Sequence, residues 1–238
     1  MKEKLTGLFI FDQYHIIAIV SSMILIILVP LIGSRLNRKK QNFFIICLVY
    51  FAVLQEVIDY LARYNFNGLS IKEDLPLHIC NFALFMSAYA LYKKHQFSFE
   101  FSYLLGVTGT FFAILTPDLS DFDDWIMYTT YFIHHALIIA FSMWNIFIDD
   151  MAPRKYSIVY CLRFIVLMAI PVGFICWLTG GNYMYLREIP NVDNPLLFGE
   201  WPFYMVNCIF IGGLLMFLAK LPFDIKNLII KKWKLVKF

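Results

Sequence analysis

The residues able to do chemistry stand inside apolar runs. Gln55, Glu56 and Asp59 are followed by Arg63. An ionisable side chain in hydrocarbon costs roughly 2.5–3.5 kcal/mol on insertion scales, so each must meet protein or water. On a helix, Glu56, Asp59 and Arg63 fall within a sector of about 60°. They form a polar stripe. It suits carboxylates that orient an imidazole or relay protons, and it equally suits an ion pair that locks helices together. Further on, Leu75-Pro76-Leu77-His78-Ile79-Cys80-Asn81 places an imidazole, a thiol and an amide close in sequence. His134 and His135 are adjacent, with Ser142 and Asn145 beyond them. The run Gly180-Gly181-Asn182-Tyr183-Met184-Tyr185 is the last polar cluster.

Helix geometry limits how these groups combine. His78 and Cys80 point about 200° apart on a regular helix, so they are not a Cys–His couple. His78 is expected to share a face with Asn81, and Cys80 with Leu77 and Leu84. A Cys80 thiolate would need its base from another helix, with His134 or His135 the obvious donors. Otherwise Cys80 is a small packing residue. His134 shares a face with Ile138 and Asn145, and His135 with Tyr128, Tyr131 and Ser142, so either ring could face a pocket. No HExxH-like spacing supports a metal among Glu56, Asp59, His78 and His134, and no metal or other cofactor is expected.

The elements that carry these residues must be membrane helices. The chain has 238 residues, 61% hydrophobic and only 16% charged. A soluble domain of this length could not hide that much apolar surface. A net charge of +3 argues against a nucleic-acid partner. The five cysteines form no CxxC pair, which excludes a zinc ribbon or a disulfide framework as the organising device. Seven apolar stretches reach the roughly 17–25 residues that a spanning helix needs. They run over 14–32, 42–62, 75–92, 98–116, 125–148, 156–179 and 201–219. The runs are continuous and not alternating, so helices and not barrel strands are expected. The predicted fold is all-α, a polytopic membrane bundle of about seven transmembrane helices. It forms a single domain over 1–238, the first run being a retained helix and not a removed signal peptide. Residues 220–238 read as a basic interfacial tail, with Lys226, Lys231, Lys232, Lys234 and Lys237 interleaved with apolar residues. Gly106, Gly109 and Ala113, with Gly212-Gly213, are read as points of close helix packing.

Orientation follows from the basic residues. Fourteen Lys and Arg fall on the side of loops 33–41, 93–97, 149–155 and the tail, against five on the other side. The positive-inside rule then puts the N-terminus outside and the C-terminus in the cytoplasm. Asp118, Asp121, Asp123 and Asp124 lie in one outside loop without a basic residue. With this topology the four polar clusters share one depth, in the outer half of the membrane. Only Arg163 is read as a charge within the inner half, near enough to its helix end to snorkel. A shared depth is what one water-accessible pocket would require.

The Leu75–Asn81 run, the His134-His135 pair, Gly181-Asn182-Tyr183-Met184-Tyr185-Leu186 and Gly199-Glu200-Trp201-Pro202-Phe203-Tyr204 resemble the bacterial YwaF-type integral membrane proteins. The resemblance covers essentially the whole chain. It implies a multi-pass protein of a bacterial cell membrane. That family is similar to a eukaryotic seven-span acyltransferase of ether phospholipids. This implies a membrane Cys with a His partner, His78 matching the motif His and His134 or His135 the distant one. The motif's Cys position holds Leu77 here, so Cys80 would act as a displaced thiol.

The leading expectation is a membrane-embedded acyltransferase or hydrolase of lipids, with membrane lipids as partners. His78 and one of His134 and His135 would be acid/base groups. Glu56 and Asp59 would orient them, Cys80 would be the nucleophile, and Asn81, Arg63, Asn182 and Tyr183 would contact substrate. The rival is a small-solute or proton-linked transporter, or a ligand-binding membrane module, since intramembrane Glu, Asp and His also suit proton relays. A structural subunit whose polar groups only lock helices is the third reading.

Overall fold

The computed structural model describes residues 8–119, 122–189 and 198–236. Helices account for its regular structure: α1 (Gln13–Arg35), α2 (Arg38–Asn67), α3 (Ile79–Lys93), α4 (Gln96–Phe101), α5 (Thr108–Leu115), α6 (Trp125–Phe147), α7 (Ser157–Thr179) and α8 (Phe203–Val236). A π-helical stretch, Ser102–Val107, joins α4 to α5, so residues 96–115 make one continuous pass. Six passes are long and apolar enough to cross a membrane. The expected polytopic helical bundle is what forms.

Two boundaries differ from expectation. The third helix begins at Ile79 and has 15 residues, short of a full span. Pro76 disfavours helical backbone in the residue before it, and His78 ends the extended segment as the N-cap. Leu77 and His78 therefore lie off the helix, and the face-sharing expected of His78 with Asn81 and of Cys80 with Leu77 does not apply. At the other end, α8 does not stop near residue 219 but runs on as helix to Val236. Lys226 is exposed. Of the tail's other basic positions, the side chains of Lys231, Lys232 and Lys234 and all of Lys237 lie outside the described residues, as do Lys2, Lys4 and Asp121.

Helix α6 is the axis of the bundle. Fifteen of its residues are buried, and α1, α2, α3 and the 96–115 pass lean on it. Gly33 of α1 lies against the Trp144 ring, where a Cβ would come within 1.9 Å of Cζ3. His15 pins the far end of α1. Its Nδ1 accepts from Phe11 N at 2.8 Å, which leaves Nε2–H to donate to the Ile114 carbonyl at 2.9 Å. Asp12 caps the same helix by accepting from His15 N at 2.7 Å. Gln41 Nε2 donates to Gly33 O and ties α2 to α1.

At the basic end two carboxylates clasp the connections. Asp149, its side chain 1% exposed, meets Arg38 and Lys94. Glu100 is fully buried and accepts from Arg154 Nε at 2.8 Å, Nη2 at 2.7 Å and backbone N at 2.8 Å. Glu100 is thus a further charge in this half of the bundle, beside the exposed Arg163 and the buried Lys220, which pairs with Asp224. A bidentate guanidinium partner makes its burial tolerable.

The glycines divide. A Cβ on Gly106 would lie 2.8 Å from Ile138 Cγ2 and 3.2 Å from Ala83 Cβ, so this glycine does serve close packing. Gly109, Gly212 and Gly213 do not, because a Cβ on any of them would meet nothing within 4 Å.

Candidate functional site

Helices α2, α3 and α6 carry the polar clusters to the end of the bundle opposite the basic clasps. The loops 68–78, 116–124 and 180–186 complete the surroundings. Together with α5, α7 and α8 they enclose a cavity of about 1440 Å³. All ten candidate residues lie on its wall: Glu56, Asp59, Arg63, His78, Cys80, Asn81, His134, His135, Asn182 and Tyr183. The shared depth expected from the sequence is a shared cavity. Its lining is of two kinds. Beside the titratable groups stand Leu105, Leu162, Ile165, Val166, Ala169, Leu215 and Met216.

The Glu56–His134 pair is the best defined contact. His134 Nδ1 lies 2.6 Å from Glu56 Oε1, and Nε2 lies 3.1 Å from the Cys80 carbonyl oxygen. A carbonyl only accepts, so Nε2 carries a proton. Glu56 Oε1 also accepts from Gln55 Nε2. His134 and Glu56 thus form a short hydrogen-bonded carboxyl–imidazole pair. Both of its nitrogens are committed. It contacts Cys80 through the backbone carbonyl and not through the thiol, so the expected His134–thiol couple does not form.

His135 takes the other tautomeric role. Its Nδ1 lies 2.7 Å from the Tyr131 carbonyl and must donate, and its ring lies over Tyr131 with centroids 4.2 Å apart. In the neutral ring this tautomer leaves the lone pair on Nε2. The pair of rings points two ways, as expected of neighbours on a helix, yet both line the cavity. Asp59 holds the rim. Its Oδ2 accepts from Arg63 Nε at 2.7 Å and its Oδ1 faces Thr130 Oγ1 at 2.7 Å. Arg63 Nη1 reaches on to Asp74 Oδ1 at 3.6 Å, so the stripe ties α2 to α6 and to the 68–78 loop.

His78 is held by rings. Tyr183 and Tyr185 pack on its imidazole with centroids 5.5 and 5.3 Å away. As N-cap of α3 it makes no side-chain capping bond. Its ring nitrogens make no hydrogen bond to another described residue, which leaves them for whatever enters the cavity. The Asn81 amide, one turn on, likewise makes none.

Two expected substrate contacts are committed elsewhere. Asn182 accepts from Arg187 N at 3.0 Å and Glu188 N at 3.1 Å, and donates to Glu188 O at 2.9 Å. Its amide closes a loop. Tyr183 donates to Ile71 O at 2.8 Å and accepts from Leu75 N at 3.0 Å. Burial pushes its pKa up, so it stays a protonated donor. Both residues build the platform beneath His78. The preceding glycines show why the run reads as it does. Gly180 ends α7 at φ +75, and a Cβ on Gly181 would strike Lys72 O at 2.4 Å.

Sequence reasoning passed over Tyr60, Asp74 and Thr130. Tyr60 donates to Asp74 O at 2.7 Å, and all three line the cavity. Their signal was weak, since Tyr and Thr are common in membrane helices and Asp74 reads as loop. Among the described residues no group of three His, Cys, Asp or Glu could hold a metal. A second groove of about 400 Å³ lies on the outer side of α2, against Phe85 of α3. Its lining is apolar except for Glu56, Tyr60 and Tyr64, the first two of which it shares with the cavity.

The family model described as the TMEM164 family matches residues 10–220. No curated protein and no solved structure matches the chain.

Proposed function

The chain belongs to the TMEM164 family, a family of multi-pass membrane proteins, and from that premise we propose that it is a membrane-embedded enzyme of acyl transfer or ester hydrolysis on lipids. The single observation that carries this reading is the cavity's two kinds of lining, a cluster of ionisable groups set in a wall that is otherwise rich in hydrocarbon side chains. A lipid ester has that profile. Its carbonyl sits between a polar headgroup and an alkyl tail. A small polar solute would find half of the wall unfavourable, which is why a lipid substrate is preferred to solute transport.

Roles follow from hydrogen-bond capacity. His78, with both nitrogens open, is the general base that takes the proton of the attacking hydroxyl or water. His135 Nε2 is a second acceptor. The His134 imidazolium, charged by Glu56, stabilises negative charge that develops on an ester carbonyl oxygen in the same cavity. Asp59, Arg63 and Tyr183 position these groups. Cys80 lines the cavity with no base at its thiol among the described residues, which favours direct attack by water or a lipid hydroxyl over an acyl-cysteine intermediate. With the basic end in the cytoplasm, the site lies in the outer half of the membrane, near the level of lipid ester groups.

The test is the purified full chain in nanodiscs, offered diacyl lipids and lysolipids, with products followed by mass spectrometry. His78→Ala should reduce turnover by about 10²–10⁴-fold, the usual range for a general base. Cys80→Ala should leave most of it. Turnover undiminished in both His78→Ala and His134→Ala would overturn the assignment.

A further inference from the structure

We propose that the apolar part of the cavity wall lines an acyl-chain sleeve whose usable length is set by Gly109 of α5 and Gly212 of α8. This rests on the lipid reading above and adds which residues choose the tail. Both glycines line the cavity, on two helices that pack against each other. A Cβ built on either meets nothing within 4 Å. Gly106, three residues earlier, has no such room, so packing explains Gly106 and does not explain the other two. Glycine weakens a helix relative to alanine, and alanine would fit at both sites without displacing an atom. What the two glycines supply is empty volume beside Leu105, Leu215 and Met216, the part of the wall that suits a hydrocarbon chain.

The consequence is a length rule. A leucine at either position would put four carbons into the sleeve, so the preferred tail shortens by about four carbons, volume for volume. Each methylene left outside the sleeve lowers binding about fourfold, the equivalent of its burial free energy. Gly213 supplies the control. A Cβ there also meets nothing within 4 Å, but Gly213 is not on the cavity wall. Gly213→Leu adds the same bulk outside the sleeve.

The experiment measures binding and not turnover. The purified full chain is loaded with a fluorescent fatty-acyl probe, which is displaced by a homologous series of saturated lysolipids of increasing length. Gly109→Leu and Gly212→Leu should move the optimum to shorter tails, and Gly213→Leu should leave it at the wild-type length. If a leucine variant fails to fold, Gly109→Ala and Gly212→Ala carry the test, with a shift of about one carbon. Wild-type protein that binds the series with an optimum unmoved by any cavity variant overturns the sleeve while leaving the lipid reading intact. Wild-type protein that binds no member of the series overturns both.

Discussion

Replacing Glu56 by Gln should remove the charge that the proposed mechanism pairs with a His134 imidazolium, and the loss is measurable as a coupling energy. Hydrogen bonds between neutral groups in membrane proteins average about 0.6 kcal/mol in double-mutant cycles and reach about 1.7. Hydrogen bonds to charged groups lie at about 1.5–3 kcal/mol. The geometry decides between these ranges. Glu56 and His134 are 2.6 Å apart, with side chains only 15% and 9% exposed. Oε1 also takes the Gln55 amide, and His134 Nε2 is held by the Cys80 carbonyl. Water in the cavity screens the pair in part, which places the expected coupling near the lower charged value, about 1.5 kcal/mol or roughly tenfold in an equilibrium constant. The cycle comprises wild type, Glu56→Gln, His134→Gln and the double variant. Equilibrium unfolding is read by circular dichroism in mixed micelles of dodecyl maltoside and SDS. Infrared difference spectra on acidification should show the carboxyl stretch of Glu56 appearing only when the pair breaks. A coupling at or below about 0.6 kcal/mol would refute the ion pair and with it the charged role assigned to His134.

Two further outcomes test the frame around the site. Gly33→Ala should destabilise the bundle by about 1–3 kcal/mol, because its Cβ would overlap the enclosed Trp144 ring, and the same unfolding assay checks it. Asp12→Ala should cost about 1 kcal/mol at neutral pH through the lost cap. Slight burial raises the Asp12 pKa, but the backbone N–H groups of His15 and Phe9 outweigh it and hold the carboxyl below its ordinary value. Its stabilisation is therefore complete above the unfolded aspartate pKa and is lost as pH falls through the folded one. Wild type and Asp12→Ala should converge in stability on acidification, and a gap that widened instead would contradict the capping role.

The bundle and its polar cavity were legible for one reason. Charge in hydrocarbon is costly, so Glu56, Asp59, Arg63, His78 and the His134-His135 pair had to gather where they could meet one another or water. Details that depend on the path of the backbone were not legible. Which histidine pairs with Glu56 turns on the rotation of α6, and a helix wheel treats His134 and His135 alike. The commitment of Asn182 and Tyr183 to the loop depends on backbone carbonyls at Glu188 and Ile71, which have no signature in side-chain spacing. His15 and Glu100 were missed because their partners, Ile114 O and Arg154, come from distant segments. Gly109 and Gly212 look the same in sequence as Gly106, and only the neighbours' positions separate a packed glycine from an open one.

The central place of α6 also dictates how this protein can be built. It is the least apolar of the six long passes and the most enclosed, and it carries Thr130, His134, His135, Ser142 and Asn145. A segment of that kind gains little from entering lipid by itself. Synthesis runs from the N-terminus, so α1 to α5 are already in the bilayer when α6 emerges from the ribosome. Glu56, Asp59 and the Cys80 carbonyl are then waiting for it. Helices α7 and α8, strongly apolar and mostly lipid-facing, can enter unaided afterwards. The nascent protein thus assembles its charged pair first, with the hydrocarbon side of the cavity open to the bilayer, and the last two helices close it.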